Sequence, residues 1–498
     1  MNAEAEKTLL GMVATKIDRP DAHADLRYSL GFLVGRELDW VPAHFVPVPF
    51  VCPLHVHPNA SVAVSSSDDD AVAVIGEAIH PDHPEMSQSN VAALLLRRTD
   101  SRQAEIDKLV GRFAIIDYDR RRGLAIQSDA IGMRGVFFGR RDGRTIAASS
   151  ASLAAQSCDV GAARRRGVRA KWGYPGIQTP FAGISRLPPN SSLDLDSGAV
   201  RRFFPLEPIE PSNLIQSWDY AFSQAHQAVC GALNRRPVLL SLSAGLDTRT
   251  SLAATRGIWP KLTFFTYHGG RSPLHQLDVL VASDIARSLG LRHLVVDYCD
   301  LAPDPSVMEA IGHNTFASHS HQLACAYHRH FGPHKFLHFR TNLLELTRSN
   351  LYHKNDARPE FTGGPATAQQ MAGFYAFAAG FPINDQLVAA FAEYHALTDF
   401  SQALRFANAW DLFFVEHRMG AWHAGLVAES DVAFETLIAF NSRNIIRRFM
   451  GVPQKIRSRS GFLRGHLKKL LPEIAHIPIN PRAYSSRPPA SSQAEAIP

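Results

Sequence analysis

The stretch Pro237–Ser251 has the sequence PVLLSLSAGLDTRTS, in which an apolar run is followed by small and hydroxyl-bearing residues. The run Val238–Leu242 is mostly apolar and predicts a strand, whereas Arg249–Arg256 has a pattern that suits a helix. Ser243–Thr248, between them, is small, flexible and hydroxylic. The sequence therefore predicts a strand, a tight loop and a helix.

A loop of this kind is suited to binding phosphate. Backbone N–H groups and the positive end of a helix face an anion there. Ser243 and Thr248 add hydroxyl donors, and Asp247 is placed to hold a magnesium ion. We interpret the stretch as a pyrophosphate-binding loop. The alternative is an ordinary strand-to-helix turn with a serine cap, because short motifs often match by chance.

The loop resembles the SGGxDS loop of the ATP pyrophosphatase superfamily, and its Leu-Ser-x-Gly-Leu-Asp form is most similar to the asparagine synthetase family. Ala244 replaces the first loop glycine and would crowd the loop if that position needed a positive φ. Thr248 replaces the last serine and keeps its hydroxyl. The resemblance implies an ATP-binding set in this stretch and on the next strand: Leu242, Ser243, Ala244, Gly245, Asp247, Thr248 and Tyr267.

Composition indicates a soluble protein of two domains. The chain of 498 residues is longer than a domain with a single hydrophobic core usually is, and 45% of its residues are hydrophobic and 20% charged. The net charge of +6 comes from dispersed arginines, and the clusters Arg120–Arg122 and Arg164–Arg166 are not interleaved with aromatics, so nucleic-acid binding is not expected. The five cysteines are odd in number and widely spaced, which favours reduced thiols in a cytoplasmic protein without a zinc site.

No segment predicts membrane association. The first ten residues lack the apolar core of a secretory signal. No stretch reaches the ~18 uninterrupted apolar residues that span a bilayer. The end of the chain, residues 481–498, is rich in Ser, Pro and Ala and is expected to be disordered.

Residues 61–150 alternate short strands with turns, which predicts an α+β domain of sandwich type. Helices are expected at Asn90–Arg98 and Ser101–Val110. The expected strands are Val62–Val64, Ala71–Ile75, Arg112–Tyr118, Gly123–Ser128, Gly135–Phe138 and Thr145–Ala148.

Four ordered segments of this region resemble landmarks of a glutamine amidotransferase domain with an N-terminal nucleophile: Gly76–Ile79, Leu109–Ala114, Ser128–Arg134 and Ala148–Ser150. The stretch from Trp172 to Leu195 resembles that family's bridge into the synthetase domain. The resemblance implies an amidotransferase-like domain over residues 1–204.

The chemistry of that domain is expected to be lost. In the family the nucleophile is a cysteine exposed as residue one, whereas here Asn2 follows Met1. Cys52 has no free amino group to act as the base, and proteolytic exposure of Cys52 is disfavoured by the proline after it. Ile75, before Gly76, offers no amide to stabilise an oxyanion. We therefore predict no glutaminase activity.

Beyond the linker around Pro205–Pro211, strands alternate with helices, which predicts a parallel sheet. After a long helix, Asn213–Leu233, and the loop strand, the expected elements are a strand at Lys261–Tyr267, a helix at Leu277–Leu289 and a strand at Leu294–Tyr298. Ligands of such sheets bind at the carboxyl ends of the strands, so the Ser243 loop and Tyr267 would line one crevice. Asp278 matches an acidic position in the family; the alternative is a helix cap.

The segment Phe336–Glu345 lies where the family has a GEGxDE loop. Thr341 replaces its glutamate and Leu344 its metal-binding aspartate, so Glu345 is the remaining acid. Either Glu345 joins Asp247 in holding the metal, or other groups such as Arg340 and Arg348 bind the phosphates bidentately.

A predicted helix over Trp410–Trp422 places Glu416 and Arg418 among aromatic residues and resembles the family helix that lines the acyl-adenylate pocket. Charges in an apolar helix must be paired or functional, and both explanations stay open. By the resemblance, Glu345, Glu416 and Arg418 are the candidate catalytic residues.

The segment Phe462–Arg464 resembles the family's Lys-x-x-Leu-Arg segment, with Ser460 where the lysine binds pyrophosphate. Lys455, Arg457 and Arg459 are near enough to substitute for it. The predicted pyrophosphate ligands are Ser243, Thr248, Lys455 and Arg459. A histidine-rich stretch contains His319, His321, His328 and His330 without a zinc-binding spacing; surface or pocket roles are favoured over metal binding.

The resemblance spans residues 60–475 and implies a synthetase-like domain at 212–480 that uses ATP and Mg²⁺. It implies adenylation of a small-molecule or peptide carboxylate and attack by free ammonia, ammonia from a partner, or an amine of the substrate, in a chain that could form a homodimer. The alternative is a degenerate relative that binds nucleotide or a partner without catalysis, motivated by Thr341, Leu344 and Ser460.

Overall fold

The computed structural model describes residues 25–161, 173–269, 273–316, 319–348, 367–379, 382–457 and 461–484. Its first part contains two six-stranded sheets, ordered β10-β8-β9-β1-β3-β2 and β12-β11-β7-β6-β5-β4. The strands are β1 (Phe32–Gly35), β2 (Val46–Val48), β3 (Leu54–Val56), β4 (Val62–Ser66), β5 (Asp70–Ile79), β6 (Val110–Asp119), β7 (Gly123–Ser128), β8 (Phe137–Arg141), β9 (Arg144–Ala148), β10 (Ser185–Arg186), β11 (Ser191–Asp194) and β12 (Val200–Arg202). Helices α1 (Gln88–Arg97), α2 (Arg102–Lys108) and α3 (Ala151–Ser157) accompany them.

The two antiparallel sheets pack face to face, as the alternating pattern predicts. Phe32 and Val34 of β1 share one core with Ala73 and Ile75 of β5, because alternate residues of a strand point to the same face. The intervening residues of β5 pack under α1 and α2 instead, and α3 covers the other sheet. The first part is therefore a sandwich of two sheets between helices. The predicted helix Ser101–Val110 ends at Lys108, since Val110 already belongs to β6.

The second part is built on a five-stranded parallel sheet ordered β15-β14-β13-β16-β17. Its strands are β13 (Val238–Ser241), β14 (Leu262–His268), β15 (His293–Asp297), β16 (Leu337–Arg340) and β17 (Glu435–Ile438). Its helices are α4 (Leu214–Leu233), α5 (Leu246–Ala254), α6 (Pro273–Leu289), α7 (Pro305–Asn314), α8 (His321–Phe331), α9 (Ala368–Ala379), α10 (Asp385–Thr398), α11 (Phe400–Ala403), α12 (Ala409–Phe413), α13 (Ala424–Glu429), α14 (Arg443–Gly451), α15 (Gln454–Arg457) and α16 (Gly461–Leu470).

The alternation of strands and helices is confirmed, with shifted boundaries. The loop strand ends at Ser241, and the helix after the loop begins at Leu246 rather than Arg249. The predicted helix over Trp410–Trp422 is α-helical only to Phe413 and continues as a π-helix, Phe414–His423. π-helical segments are rare and frequently occur at functional sites.

The two parts meet across a buried interface. β6 of the sandwich packs against β17 of the parallel sheet. Ion pairs cross this interface with mostly buried side chains: Arg112–Asp431, Arg134–Glu435, Arg202–Glu416, Arg235–Glu77 and Arg443–Asp107. The connecting segment 206–211 is mostly exposed. The division into domains at 1–204 and 212–480 stays a prediction.

Among the described helices, none has the length and apolar character needed to cross a membrane. Tyr484, near the start of the tail predicted to be disordered, donates a hydrogen bond to Asp284 at 2.7 Å. Residues 485–498 lie outside the described residues, as do residues 1–24, which include Asn2.

Candidate functional site

The Ser243 loop has the geometry of an anion site. Gly245 is the N-cap residue of α5, with extended backbone angles of φ −73° and ψ 161°, and no described side chain caps the helix. Ser243 Oγ accepts a hydrogen bond from the Gly245 N–H and lies 3.1 Å from Thr248 Oγ1. The remaining N–H groups of the first helical turn are therefore available to a bound anion.

Ala244 is held on both sides by groups that the loop itself does not supply. The Asp278 carboxylate accepts the Ala244 N–H at 2.8 Å, and the Asn480 N–H donates to the Ala244 carbonyl at 3.0 Å. Ala244 is absent from the described residues with positive φ, so its methyl group causes no backbone strain. The helix-cap explanation of Asp278 is wrong, because α6 has already begun at Pro273.

Asp247 and Glu345 lie in one electrostatic cluster with two arginines. Arg348 pairs with both oxygens of Asp247, at 2.9 Å between Nη1 and Oδ1 and 3.1 Å between Nη2 and Oδ2. Burial and the Asp247 charge raise the pKa of Glu345, and Arg348 and Arg418 oppose this rise. Burial also raises the pKa of Asp247. We call Asp247, Glu345, Arg348 and Arg418 the acid–arginine cluster.

One oxygen in this cluster is unusual. Glu345 Oε2 is buried and has no hydrogen-bond partner among the described residues. Leaving a buried polar atom without a hydrogen bond lowers the stability of the folded protein by about 1–3 kcal/mol, and by more when the group is charged. The charge of the Asp247 carboxylate contributes to the raised pKa of Glu345, so the two acids influence each other in this cluster.

The π-helix brings Arg418 to the cluster. Its guanidinium carbon lies 3.3 Å from the centre of the Trp422 ring, a cation–π contact. Burial lowers the pKa of Arg418 to about 9, with Glu345 acting in the opposite direction. His319 contacts the same Trp422 ring edge-on, with ring centres 5.4 Å apart. The influence of Glu345 on Arg418 and the stacking of Arg418 on Trp422 are seen only in the folded structure, and catalytic roles for Glu345 and Arg418 stay predictions.

Glu416 occupies a different environment. Its carboxylate is fully buried and binds Arg202 through two contacts, of 2.6 and 3.0 Å. Tyr394 donates its hydroxyl to the same carboxylate at 2.6 Å, and Asn190 donates its amide at 3.1 Å. These partners compensate the buried negative charge of Glu416, so its burial does not require a catalytic role. A catalytic role for Glu416 stays a prediction.

The positions that depart from the family pattern have structural contacts. Thr341 Oγ1 lies 2.7 Å from Ser251 Oγ and joins the end of β16 to α5. Leu344 is buried at 1% exposure. Arg457 pairs with Asp411 inside the protein, so a phosphate role for this arginine is not supported by its surroundings. Lys455 is exposed on α15, while Arg459 and Ser460 lie outside the described residues.

The remaining predicted ATP-binding residues lie at the carboxyl edge of the sheet. Leu242 donates its N–H to Phe265 O at 2.8 Å and accepts the Thr266 hydroxyl at 2.8 Å. Tyr267 is half-buried and contacts the His275 ring, with centres 5.5 Å apart. These are contacts within the sheet and with the helix beside it, and the crevice between the loop and the end of β14 stays a prediction.

The histidine-rich segment does not converge on one point. His321 faces Glu429 at 3.5 Å, and His328 Nδ1 lies 2.8 Å from the Val432 carbonyl. The metal-type cluster found among the described residues does not include these histidines. The preference for surface or pocket roles over metal binding stays a prediction.

Cys52 is buried between the two sheets of the sandwich. Burial raises the pKa of its thiol to about 11, so the thiolate needed for nucleophilic attack is scarce at neutral pH. This agrees with the expectation that Cys52 does not replace the missing nucleophile. The absence of glutaminase activity itself stays a prediction.

A cavity of about 200 Å³ lies between the sandwich and the second part. Its lining includes Arg134 and Phe137 from the sandwich, Phe316, and Gly420 and Ala421 of the π-helix. The π-helix therefore contributes both to this cavity and, through Arg418, to the acid–arginine cluster. Ser243 is not among the residues that line this cavity.

No family model matches the chain, and no curated protein matches it. Among solved structures, one described as the allosteric regulatory enzyme of purine biosynthesis is 10% identical, with a TM-score of 0.24 over 52% of this chain and 62% of that chain. Glutamine phosphoribosylpyrophosphate amidotransferase from B. subtilis, complexed with ADP and GMP, is 10% identical, with a TM-score of 0.23 over 67% of this chain and 74% of that chain. Membership of the asparagine synthetase family stays a prediction.

Proposed function

We propose that this chain is an ATP-dependent amide-forming ligase that activates a carboxylate as an acyl-adenylate and transfers the acyl group to ammonia or an amine. The observation that carries the proposal is the convergence of Asp247 and the unpartnered Glu345 oxygen beside an uncapped helix N-terminus. A nucleoside triphosphate with its metal ion requires an anion site next to a cation site.

The residues fit Mg²⁺. Asp247 and Glu345 would hold the ion, which when bound would neutralise negative charge on the phosphates. Arg348 now pairs with Asp247. On nucleotide binding, Arg348 would exchange this carboxylate for phosphate oxygens, which guanidinium groups bind equally well.

In the first step, a substrate carboxylate oxygen attacks the α-phosphorus of ATP, and the bond from that phosphorus to pyrophosphate breaks. The N–H groups of α5 and the hydroxyls of Ser243 and Thr248 would bind the departing pyrophosphate, because they donate to the charge that develops there. Arg418, the partly desolvated cation of the cluster, adds positive charge near Glu345.

In the second step, the nitrogen of the amine attacks the acyl carbon, and AMP leaves with the electron pair of the carbon–oxygen bond. The amine then releases a proton. If Asp247 alone holds the metal, Glu345 is suited to accept this proton, because its raised pKa brings the carboxyl closer to neutral pH, where a general base is most effective. Free ammonia, ammonia from a partner and an amine of the substrate stay open as the nitrogen source.

The experiment is exchange of labelled pyrophosphate into ATP by the purified chain with a panel of amino acids and peptides as carboxylates. Asp247→Asn keeps the shape of the side chain and removes its charge, and we expect a loss on the order of 10²-fold or more in exchange rate. Asp68→Asn, at an exposed position of the sandwich, is the control and should exchange at the wild-type rate. Unchanged exchange in Asp247→Asn would contradict the proposal.

A second candidate, a nucleotide-binding protein without catalysis, is favoured by the Arg348–Asp247 pair, which occupies the carboxylate that a metal needs. Calorimetry with MgATP on Arg348→Met distinguishes two roles of Arg348, phosphate binding and blocking of the Asp247 carboxylate. If Arg348 binds phosphates, the variant binds MgATP more weakly than wild type; if Arg348 only blocks Asp247, the variant binds more tightly. ATP binding by wild type without any exchange would support the second candidate.

A further inference from the structure

Two neighbouring strands of the parallel sheet end in side chains that bind metals. His268 is the last residue of β14 and Asp297 is the last residue of β15, and the two are direct partners in the parallel ladder. Cys299 follows two residues after Asp297. The strand register therefore brings an imidazole, a carboxylate and a thiol to one point at the carboxyl edge of the sheet.

The spacing of the ligand atoms is that of a metal site. His268 Nδ1 lies 3.2 Å from Asp297 Oδ2 and 3.4 Å from Cys299 Sγ, and the ligand atoms all lie within 4.8 Å of one another. In a tetrahedral zinc site with usual bond lengths, neighbouring nitrogen, oxygen and sulfur ligands are about 3.4–3.6 Å apart. Only small side-chain movements would therefore be needed to enclose an ion.

The same geometry argues against a Cys–His–Asp nucleophile. In such a relay the acid and the nucleophile contact different ring nitrogens, because one nitrogen carries a proton toward the acid while the other accepts from the nucleophile. Here Asp297 and Cys299 both approach Nδ1 of His268. One nitrogen cannot donate to the carboxylate and accept the thiol proton together, whereas a single cation satisfies all of these groups.

The backbone holds the ligands in place. Cys299 donates its N–H to Asp297 Oδ1 at 2.9 Å, which leaves Oδ2 for the ligand position, and Tyr298 donates its N–H to the His268 carbonyl at 2.9 Å. A Cβ on Gly269 would lie 1.7 Å from the Tyr298 ring, so a larger residue after His268 would displace this ring. Such supporting contacts orient metal ligands in proteins. The Asp297 side chain is 59% exposed, so the site is open to solvent.

We propose that His268, Asp297 and Cys299 bind Zn²⁺, with water in the fourth position. Mixed nitrogen, sulfur and oxygen ligands suit zinc, whereas magnesium prefers an octahedral set of oxygens. On binding, the metal forms bonds to Nδ1, Oδ2 and Sγ, and the Cys299 thiol releases its proton to solvent. This site is separate in residues and in metal chemistry from the acid–arginine cluster.

The test uses the full chain, stripped of metal with a chelator and titrated with ZnCl₂ in a calorimeter and with CoCl₂ in a spectrophotometer. We expect one ion per chain, proton release on binding, and a thiolate-to-cobalt charge-transfer band in the near ultraviolet. Cys299→Ser should abolish the band and weaken zinc binding by on the order of 10²-fold or more. Cys230→Ser, which alters a half-buried thiol on α4, is the matched control and should keep both signals.

A second variant protects the test against misfolding. Asp297→Asn changes a mostly exposed side chain, should leave circular dichroism unchanged, and should still weaken zinc binding. Absence of zinc binding by wild type, or a cobalt band that persists in Cys299→Ser, would overturn the proposal. Neither readout depends on ATP, so the result is independent of the proposed ligase activity.

Discussion

The sequence around Glu416 fits both a catalytic residue and a residue of a buried ion pair. A charged side chain in an apolar helix is either catalytic or paired, and the sequence around residue 416 does not distinguish these. Its partner, Arg202, is 214 residues away in the chain and belongs to the sandwich. Because no local spacing connects them, the pairing could be found only from the folded structure.

Replacing Glu416 tests the structural explanation. Glu416→Gln would leave Arg202 buried with its charge uncompensated, and we expect the free energy of unfolding to fall by about 3–5 kcal/mol. Urea denaturation measures this change. The double variant Arg202→Met with Glu416→Leu should recover most of the stability, because it removes both charges. A fully stable Glu416→Gln that has lost pyrophosphate exchange would instead indicate a catalytic role.

The acid–arginine cluster was only partly predictable from sequence. The resemblance implied Asp247 in the loop and Glu345 as the acid that remains in the altered segment. The charge of Asp247 contributes to the raised pKa of Glu345. The pairing of Arg348 with Asp247 spans 101 residues. Arg348 lies three residues after Glu345, one helical turn, and that spacing was the available signal that both face the same point.

At the scale of elements, the sequence predicted the order of strands and helices better than their ends or their helical type. The apolar positions of Trp410–Trp422 fit an α-helix as well as a wider one, so the π-helix at Phe414–His423 could not be foreseen. The role of Asp278 was missed for a similar reason. Its helix begins at Pro273, four positions earlier than the predicted start at Leu277.

Asp278 joins the Ser243 loop to α6 through a hydrogen bond. A hydrogen bond to a charged group contributes about 1.5–3 kcal/mol, and here the Asp278 carboxylate accepts the Ala244 N–H at 2.8 Å. Asp278→Ala should therefore loosen the loop and weaken MgATP binding by roughly tenfold, the equivalent of about 1.4 kcal/mol. Asp278→Asn keeps an acceptor and should lose less. Calorimetry measures both, with the exposed Ser288→Ala on the same helix as the control.

Tighter or unchanged MgATP binding in Asp278→Ala would show that the loop does not depend on this contact. Such a result would also weaken the assignment of the Ser243 loop as the phosphate site, because the loop backbone would then be immaterial to binding. The comparison of Asn with Ala distinguishes loss of charge from loss of the hydrogen bond itself.

At the scale of the whole molecule, the sandwich and the parallel sheet are joined by more than their linker. Ile79 and Met133 of the sandwich belong to the same hydrophobic core as Leu437 of β17. Arg112 and Asp431 pair across the interface with 3% and 5% of their side chains exposed. The sequence predicts two cores from chain length, but it does not show which apolar residues of each part contact the other.

This interface predicts that the two parts stay associated after the linker is cut. A site-specific protease sequence inserted after Leu206, in the exposed segment, would allow one defined cleavage. We expect the nicked halves to co-elute in gel filtration and to separate only in denaturant, because the buried ion pairs and shared core remain. Asp431→Ala leaves Arg112 buried without its partner, which should destabilise the protein by about 3–5 kcal/mol and let the nicked halves separate.

Asp69→Ala is the control, because it removes the partner of Arg120 in a pair whose side chains are 63% and 76% exposed. Such exposed pairs contribute only about 0–1 kcal/mol, so the nicked halves of this variant should co-elute as those of wild type do. Separation of the wild-type halves without denaturant would mean that the interface does not hold the two parts together, and the acid–arginine cluster would then have to function in the second part alone.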